Sequence, residues 1–324
     1  IMEQLKIVAS ARQIPGRQVT NQELSTMMET DDEWIYTRTG IHQRNVVTTE
    51  NTSDLATEVA KKILTKSGVS PESIDFIIVS TMSPDSLSPS TAAIVQANIG
   101  ATNAFAFDLS AACSGFVYGL SVASSLLMSR YQRGLIIGAE VLSKLVDWKD
   151  RTTAVLFGDG AAGVLVERTQ DNVGLLGEEL RTFGAKGDNL VAGRFANTNP
   201  FSENISPLDP YFHQNGREVY SFATREVPEA LQAALETAQV MADDVDYYLL
   251  HQANSRIVSS IAKRFGQPIS KFPTNMVSNG NTSAASIGIL LDELIESNTI
   301  HAGQTIAFAG FGGGLTVGAQ IWKI

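Results

Sequence analysis

Cysteine is almost absent: the 324 residues contain one, Cys113. An intrachain disulfide is therefore excluded. A lone thiol fits a reducing compartment, so a cytoplasmic location is expected. The four histidines stand far from one another and from the cysteine, which leaves no zinc-ligand spacing and no expected metal site. There is no Walker A loop, and the glycine-rich segment FGDGAAG from Phe157 lacks the spacing of a dinucleotide site. Positive charge is in deficit, with 24 Lys and Arg against 34 Asp and Glu and a net charge of −10. That argues against a nucleic-acid partner but leaves room for a local basic patch. No uninterrupted apolar run reaches the roughly 18 residues that cross a bilayer. The start MEQLKIVASARQIPG lacks a basic segment followed by a long apolar one, so neither a membrane span nor a signal peptide is expected. Ile1, ahead of Met2, is set aside.

What is present is ordinary for a globular enzyme: 44% hydrophobic and 18% charged residues. The informative feature is an internal repeat. Residues 56–81 and 227–252 each read as an amphipathic helix, a polar turn and an apolar strand, the strands opening at Asp75 and Asp246, 171 residues apart. LSAACSGFVYGL from Leu109 resembles VSNGNTSAASIG from Val277 at an offset of 168, and GLIIGAE from Gly134 resembles TIAFAGF from Thr305 at 171. Similar units in the same order predict a duplicated α/β fold. Near-continuous apolar runs such as IDFIIVST and YYLLHQ suit strands buried on both faces. Ser53 is the expected N-cap and Gly68 the expected end of the first long helix. Pro228 predicts a kink or break in a later helix. Phe183–Gly216, rich in Gly, Asn, Pro and Ser, reads as a surface excursion.

Cys113 lies between the strand AFAFDL and the apolar helix that follows. A thiol at a helix N-terminus is expected to have a lowered pKa, and Ala111, Ala112, Ser114 and Gly115 leave room for an acyl group. The same residue also fits a small buried side chain. Matching Leu109 with Val277 sets Asn281 opposite Cys113 at a second turn entering a helix, where Asn also serves as a plain N-cap. His251, in HQAN, closes a strand and is either a site residue or a satisfied structural histidine. His42, His213 and His301 read as surface residues. Gly312, Gly313 and Gly314 allow close backbone approach to a ligand, and a backbone N–H there suits an oxyanion hole.

Together, DEWIYTRTGI, AACSGF, FGDGAA, HQAN, NGNTSAAS and GFGGG, in this order, resemble the thiolase-fold condensing enzymes and within them the 3-oxoacyl-[acyl-carrier-protein] synthase III family. The resemblance runs the length of the chain. It implies an α/β, five-layered α-β-α-β-α fold from two halves, 1–170 carrying the cysteine and 171–324 carrying His and Asn, and a homodimer. It implies a catalytic set of Cys113, His251 and Asn281, with backbone N–H groups of Cys113 and Gly313 as the oxyanion hole. It implies coenzyme A contacts at Trp34, Arg38, Arg151 and Asn254, and a face for acyl carrier protein at Arg256, Lys263 and Arg264. Core packing is the alternative for Trp34, and a solvated helix face for the basic trio. The expected reaction moves an acyl group from acyl-CoA to Cys113 and condenses it with malonyl-acyl carrier protein, releasing carbon dioxide. No cofactor is expected beyond the coenzyme A thioester as substrate. A condensing relative of a polyketide, quinolone or ketone pathway, a Cys-His-Asn hydrolase and a non-catalytic scaffold are the rivals. Primer size stays open, because Ser88 and Leu315 stand where some relatives carry bulkier residues.

Overall fold

The computed structural model describes residues 4–324; Ile1 lies outside them. Two sheets form the frame. The first runs, in spatial order, Gln4–Gln13, Gly160–Thr169, Arg133–Glu140, Phe76–Ser80 and Phe105–Leu109. The second runs Gly174–Thr182, Thr316–Lys323, Thr305–Gly312 and Tyr247–Leu250. The senses match strand for strand: the first two pairings of each sheet are antiparallel and the third is parallel. The first sheet adds Phe105–Leu109 in parallel, and among the described residues the second has no counterpart.

Helices complete five layers. Thr52–Ser67 covers the outer face of the first sheet through Leu55, Val59 and Ile63. Gly216–Ala238 and Ser255–Phe265 cover the outer face of the second. Between the sheets lie Gly115–Ser129 and Ser286–Glu296, whose Phe116, Leu120, Ile287 and Leu290 meet Phe76, Phe308 and Trp322 in one buried core. Truncating a side chain as enclosed as Phe116 costs about 3–5 kcal/mol. The halves are also tied by polar contacts, Ser10 Oγ and Arg12 Nη1 donating to the buried Asp292 carboxylate at 2.7 and 2.6 Å.

Four sequence expectations change. The first long helix is capped by Asn51, not Ser53: Asn51 accepts from the Thr52 N–H, and Asp54 returns a bond to the Asn51 N–H. Ser53 instead donates to Asp85, and Gly68 closes the helix as expected. The helix at Pro228 does not break; Gly216–Ala238 continues through it, because Val227, Ala230 and Leu231 around the proline are fully buried. The stretch Ala112–Ser129 is long and apolar enough to cross a membrane, although interspersed serines hid it from a count of apolar runs. Half of it is buried, and it belongs to the core between the sheets. Phe183–Gly216 does cross the surface, but it also forms one wall of the central cavity.

Candidate active site

The elements that carry the chemistry repeat at one spacing. The turn Ala112–Ser114 leads into the helix from Gly115, and the turn Ser283–Ala285 leads into the helix from Ser286, 171 residues later. Ala112 and Ser283, the first residues of the two turns, share a left-handed backbone with φ of 45° and 49°. This corrects the alignment read from sequence at 168. Cys113 is equivalent to Ala284, and Asn281 to Ser110. Asn281 reaches the site from the loop before its turn, so its role cannot rest on symmetry with the cysteine.

The two turns meet across the middle of the molecule, and glycines permit it. A Cβ at Gly138 would lie 2.1 Å from the Ala284 carbonyl oxygen, and one at Gly310 would lie 2.9 Å from Ser114 Cα. Each half's central strand thus packs directly on the turn of the other. A Cβ at Gly312 would come within 2.9 Å of Cys113 Sγ, so only glycine leaves the thiol its place.

Cys113, His251 and Asn281 all line one cavity of about 1270 Å³. His251 follows the strand Tyr247–Leu250, and its N–H donates to the Ala309 carbonyl at 2.9 Å. The ring is buried, edge-on to Phe311. Its Nδ1 lies 2.7 Å from Ser286 Oγ, which also accepts from the Gln252 N–H at 3.2 Å. Among the described residues Nδ1 is the one acceptor that the Ser286 hydroxyl proton has, which assigns the ring proton to Nε2. Burial lowers the imidazole to about 3, so His251 is neutral. Asn281 is held through its backbone, which donates to the Leu156 carbonyl at 2.8 Å and accepts from the Gly158 N–H at 2.9 Å. Its side-chain oxygen accepts from the Ser283 N–H at 2.8 Å, which leaves the amide NH₂ as the free end.

The thiol departs from expectation. Burial pushes Cys113 up to about 12, and the nearby Glu140 carboxylate adds to the rise. The nearby Ser283 hydroxyl and the Gly313 and Cys113 N–H groups lower it, but not enough. Position at a helix start does favour the thiolate, yet complete loss of water costs more. The resting pair is thus a neutral thiol and a neutral imidazole. The N–H groups of Gly313 and Cys113 both approach the sulfur.

Trp34, Arg38 and Arg151 do not line the cavity. They gather outside it, with Arg38 and Arg151 stacked on the Trp34 ring at 4.6 and 4.7 Å. The indole also packs beside Leu24, Ile35 and Val155, so core packing and the arginine stack coexist. Asn254 bridges this cluster and the cavity: its Oδ1 caps the helix Ser255–Phe265, and its Nδ2 donates to the Arg38 carbonyl at 2.9 Å. Arg256, Lys263 and Arg264 are exposed, while Ile257 and Ile261 on the same helix point into the core. Arg256 Nε donates to the Thr37 carbonyl at 3.0 Å, which ties its helix to the helix Asp32–Thr39 that carries Trp34, a contact that spacing alone does not reveal. His42, His213 and His301 are exposed.

Sequence reasoning passed over Ser286, Ser283 and Glu140. Each lies inside a segment already singled out, and an offset of 171 would have set Ser286 opposite Gly115. It also passed over Leu87, an exposed side chain on the cavity wall next to Ser88.

Comparison with known proteins agrees with this architecture. A family model described as 3-oxoacyl-[acyl-carrier-protein] synthase III matches residues 107–184, and one for the C-terminal part of the same family matches residues 235–324. A beta-ketoacyl-[acyl-carrier-protein] synthase III of Limosilactobacillus reuteri is 52% identical over 322 residues, covering 99% of both chains. One of Lactococcus lactis subsp. lactis is 53% identical over 319 residues, covering 98% of both. The crystal structure of the 3-oxoacyl-[acyl-carrier-protein] synthase III of Aquifex aeolicus superposes with a TM-score of 0.92 at 39% identity, covering 99% of this chain and 100% of that one. The chain belongs to the 3-oxoacyl-[acyl-carrier-protein] synthase III family, the acyltransferase condensing enzymes that start fatty-acid chains.

Proposed function

We propose that Cys113 takes the acyl group of a coenzyme A thioester and passes it to the carbanion of malonyl-acyl carrier protein, giving 3-oxoacyl-acyl carrier protein. The observation that carries this reading is the single cavity lined by Cys113, His251 and Asn281. In the first stage Sγ attacks the thioester carbonyl, and the N–H groups of Cys113 and Gly313 hold the oxyanion. Coenzyme A leaves. In the second stage malonyl-acyl carrier protein enters and loses carbon dioxide. The enolate oxygen then receives hydrogen bonds from the His251 Nε2–H and the Asn281 amide. A neutral histidine is the right form for this task, since it donates without holding a permanent charge in the dry cavity. The carbanion attacks the acyl-Cys113 carbonyl, and the thiolate departs. No metal or redox group is needed by this route, which only exchanges acyl groups and releases carbon dioxide.

In this reading Trp34, Arg38 and Arg151 hold the coenzyme A nucleotide at the rim, with Asn254 linking them to the site. Arg256, Lys263 and Arg264 receive the acidic carrier protein. The halves 1–170 and 171–324 supply the nucleophile and the two donors respectively. A cytoplasmic homodimer completes the proposal. Leu87, Phe195 and Leu208, exposed apolar side chains around one cavity, support the second copy, since such a patch rarely faces water alone. Intact-protein mass spectrometry after incubation with a panel of acyl-CoAs tests the first stage. The acyl mass must appear on the wild type, vanish with Cys113→Ala, and be discharged by malonyl-acyl carrier protein. Acyl transfer to water in place of the malonyl carrier would identify a hydrolase and overturn the reading.

A further inference from the structure

Glu140 is a buried carboxyl group beside the nucleophile that the route above leaves unused. It ends the strand Arg133–Glu140 and is fully enclosed. It accepts from Thr81 Oγ1 at 3.1 Å, from the Met82 N–H at 3.2 Å and from Ser83 Oγ. The titratable groups that face it are the Cys113 thiol and the Lys144 ammonium. Lys144 makes no ion pair with it; its ammonium donates to Asn51 Oδ1 at 2.8 Å and the Pro84 carbonyl at 3.0 Å, with Asp85 and Asp159 nearby.

The turn Ser283–Ala285 packs against both the turn Ala112–Ser114 and the strand Arg133–Glu140, and Ser283 lines the cavity together with Cys113. Its hydroxyl approaches both Cys113 and Glu140. It is buried, and neither approach closes into a formed hydrogen bond in this resting state. The left-handed backbone and the Ser283 N–H bond to Asn281 Oδ1 fix the main chain that carries that hydroxyl. An unpartnered buried hydroxyl costs stability, on the order of 1–3 kcal/mol, and Ala112 at the matching position shows that this backbone does not require a serine.

We propose that Glu140, acting through the Ser283 hydroxyl, receives the Cys113 thiol proton during acylation, keeps it through the acyl-enzyme stage, and returns it when condensation frees the cysteine. The proposal rests on the reading of Cys113 as the acylated nucleophile.

The steps balance. As the Sγ–carbonyl bond forms, the thiol proton passes to Ser283 Oγ and the serine proton passes to Glu140. The coenzyme A thiolate leaves with the electrons of its C–S bond and takes a proton from water. In the second stage the carbanion displaces Cys113 as a thiolate. Glu140 then gives its proton back along the same path, and thiol and carboxylate are restored. The net reaction consumes one proton from solvent. Burial raises Glu140 to about 7, so it exchanges a proton near neutrality, whereas His251 at about 3 is a poor store.

Rapid-quench acylation by acyl-CoA, followed against pH, tests this. Above pH 7 Glu140 is ionised and can accept; below it the carboxyl is already protonated. The wild-type acylation rate should therefore fall as pH drops through about 7. Glu140→Gln should lose this limb and acylate about 10²-fold more slowly, with malonyl decarboxylation unchanged. Glu140→Asp should restore part of the rate and the limb. Ser283→Ala should lose the limb with a melting temperature no lower than that of the wild type, which keeps the test valid if Glu140→Gln folds poorly. Wild-type acylation rates and pH profile in Ser283→Ala would overturn the relay. So would equal losses of acylation and decarboxylation in Glu140→Gln, which would assign the carboxylate a structural role. Failure of the wild type itself to form acyl-Cys113 would instead overturn the proposed function.

Discussion

Ser286 Oγ lies 2.7 Å from His251 Nδ1, and the equivalent place in the first half is Gly115, which has no side chain to offer. The duplicated frame has thus been furnished differently on its two sides: a helix-start serine orients a histidine in one half, and a helix-start glycine follows the nucleophile in the other. Ser286→Ala should leave acylation of Cys113 near the wild-type rate and slow malonyl decarboxylation about tenfold, in line with the ~1–3 kcal/mol lost when a buried ring nitrogen has no donor. Separate assays of acyl-enzyme formation and carbon dioxide release check this. A loss confined to acylation would contradict the tautomer assignment.

Removing the acceptor of the acyl group and removing the donors to the enolate should fail at different stages. Cys113→Ala should form no acyl-enzyme by mass spectrometry yet still release carbon dioxide from malonyl-acyl carrier protein. His251→Ala and Asn281→Ala should acylate but lose about 10²–10³-fold in decarboxylation, the range for deletion of one oxyanion donor. A variant of either donor that fails chiefly at acylation would reverse these assignments.

The resting thiol should be protonated across the neutral range. With Cys113 pushed up to about 12, the thiolate fraction grows tenfold per pH unit from a very low value. Ultraviolet titration, with Cys113→Ala as the blank, should show no thiolate step below pH 9. A step near pH 7 would mean that the helix start outweighs burial.

The two proposed docking faces should separate kinetically. Trp34→Ala should raise the KM for acyl-CoA with little effect on malonyl-acyl carrier protein. Lys263→Glu together with Arg264→Glu should do the reverse, and added salt should mimic it in the wild type. Arg256→Glu is expected to affect both, because its bond to the Thr37 carbonyl ties the carrier face to the Trp34 helix. Carrier kinetics indifferent to both the double variant and salt would place that surface elsewhere.

Pattern and residue type alone disclosed the duplicated α/β frame, the buried strands, and the segments that carry Cys113, His251 and Asn281. These features are local: an apolar run, a turn and a helix start leave their mark within a dozen residues. The offset between the two helix starts was not legible, because NGNTSAAS and LSAACSGF align almost equally well at 168 and at 171. Only the paired left-handed residues Ala112 and Ser283 decide between them. The thiol's pKa was misjudged for a related reason. A helix start is visible in sequence, but the water excluded around Cys113 and the carboxylate of Glu140 beside it depend on segments far away along the chain. Pro228 predicts a kink or break because its missing N–H is a local cost, whereas the burial of Val227 and Leu231 that carries the helix past it is set by the second sheet. Sequence thus determined which elements and which reactive side chains this protein has. Tertiary packing decided their charge states and partners, because desolvation and hydrogen-bond geometry arise only where residues distant in sequence meet.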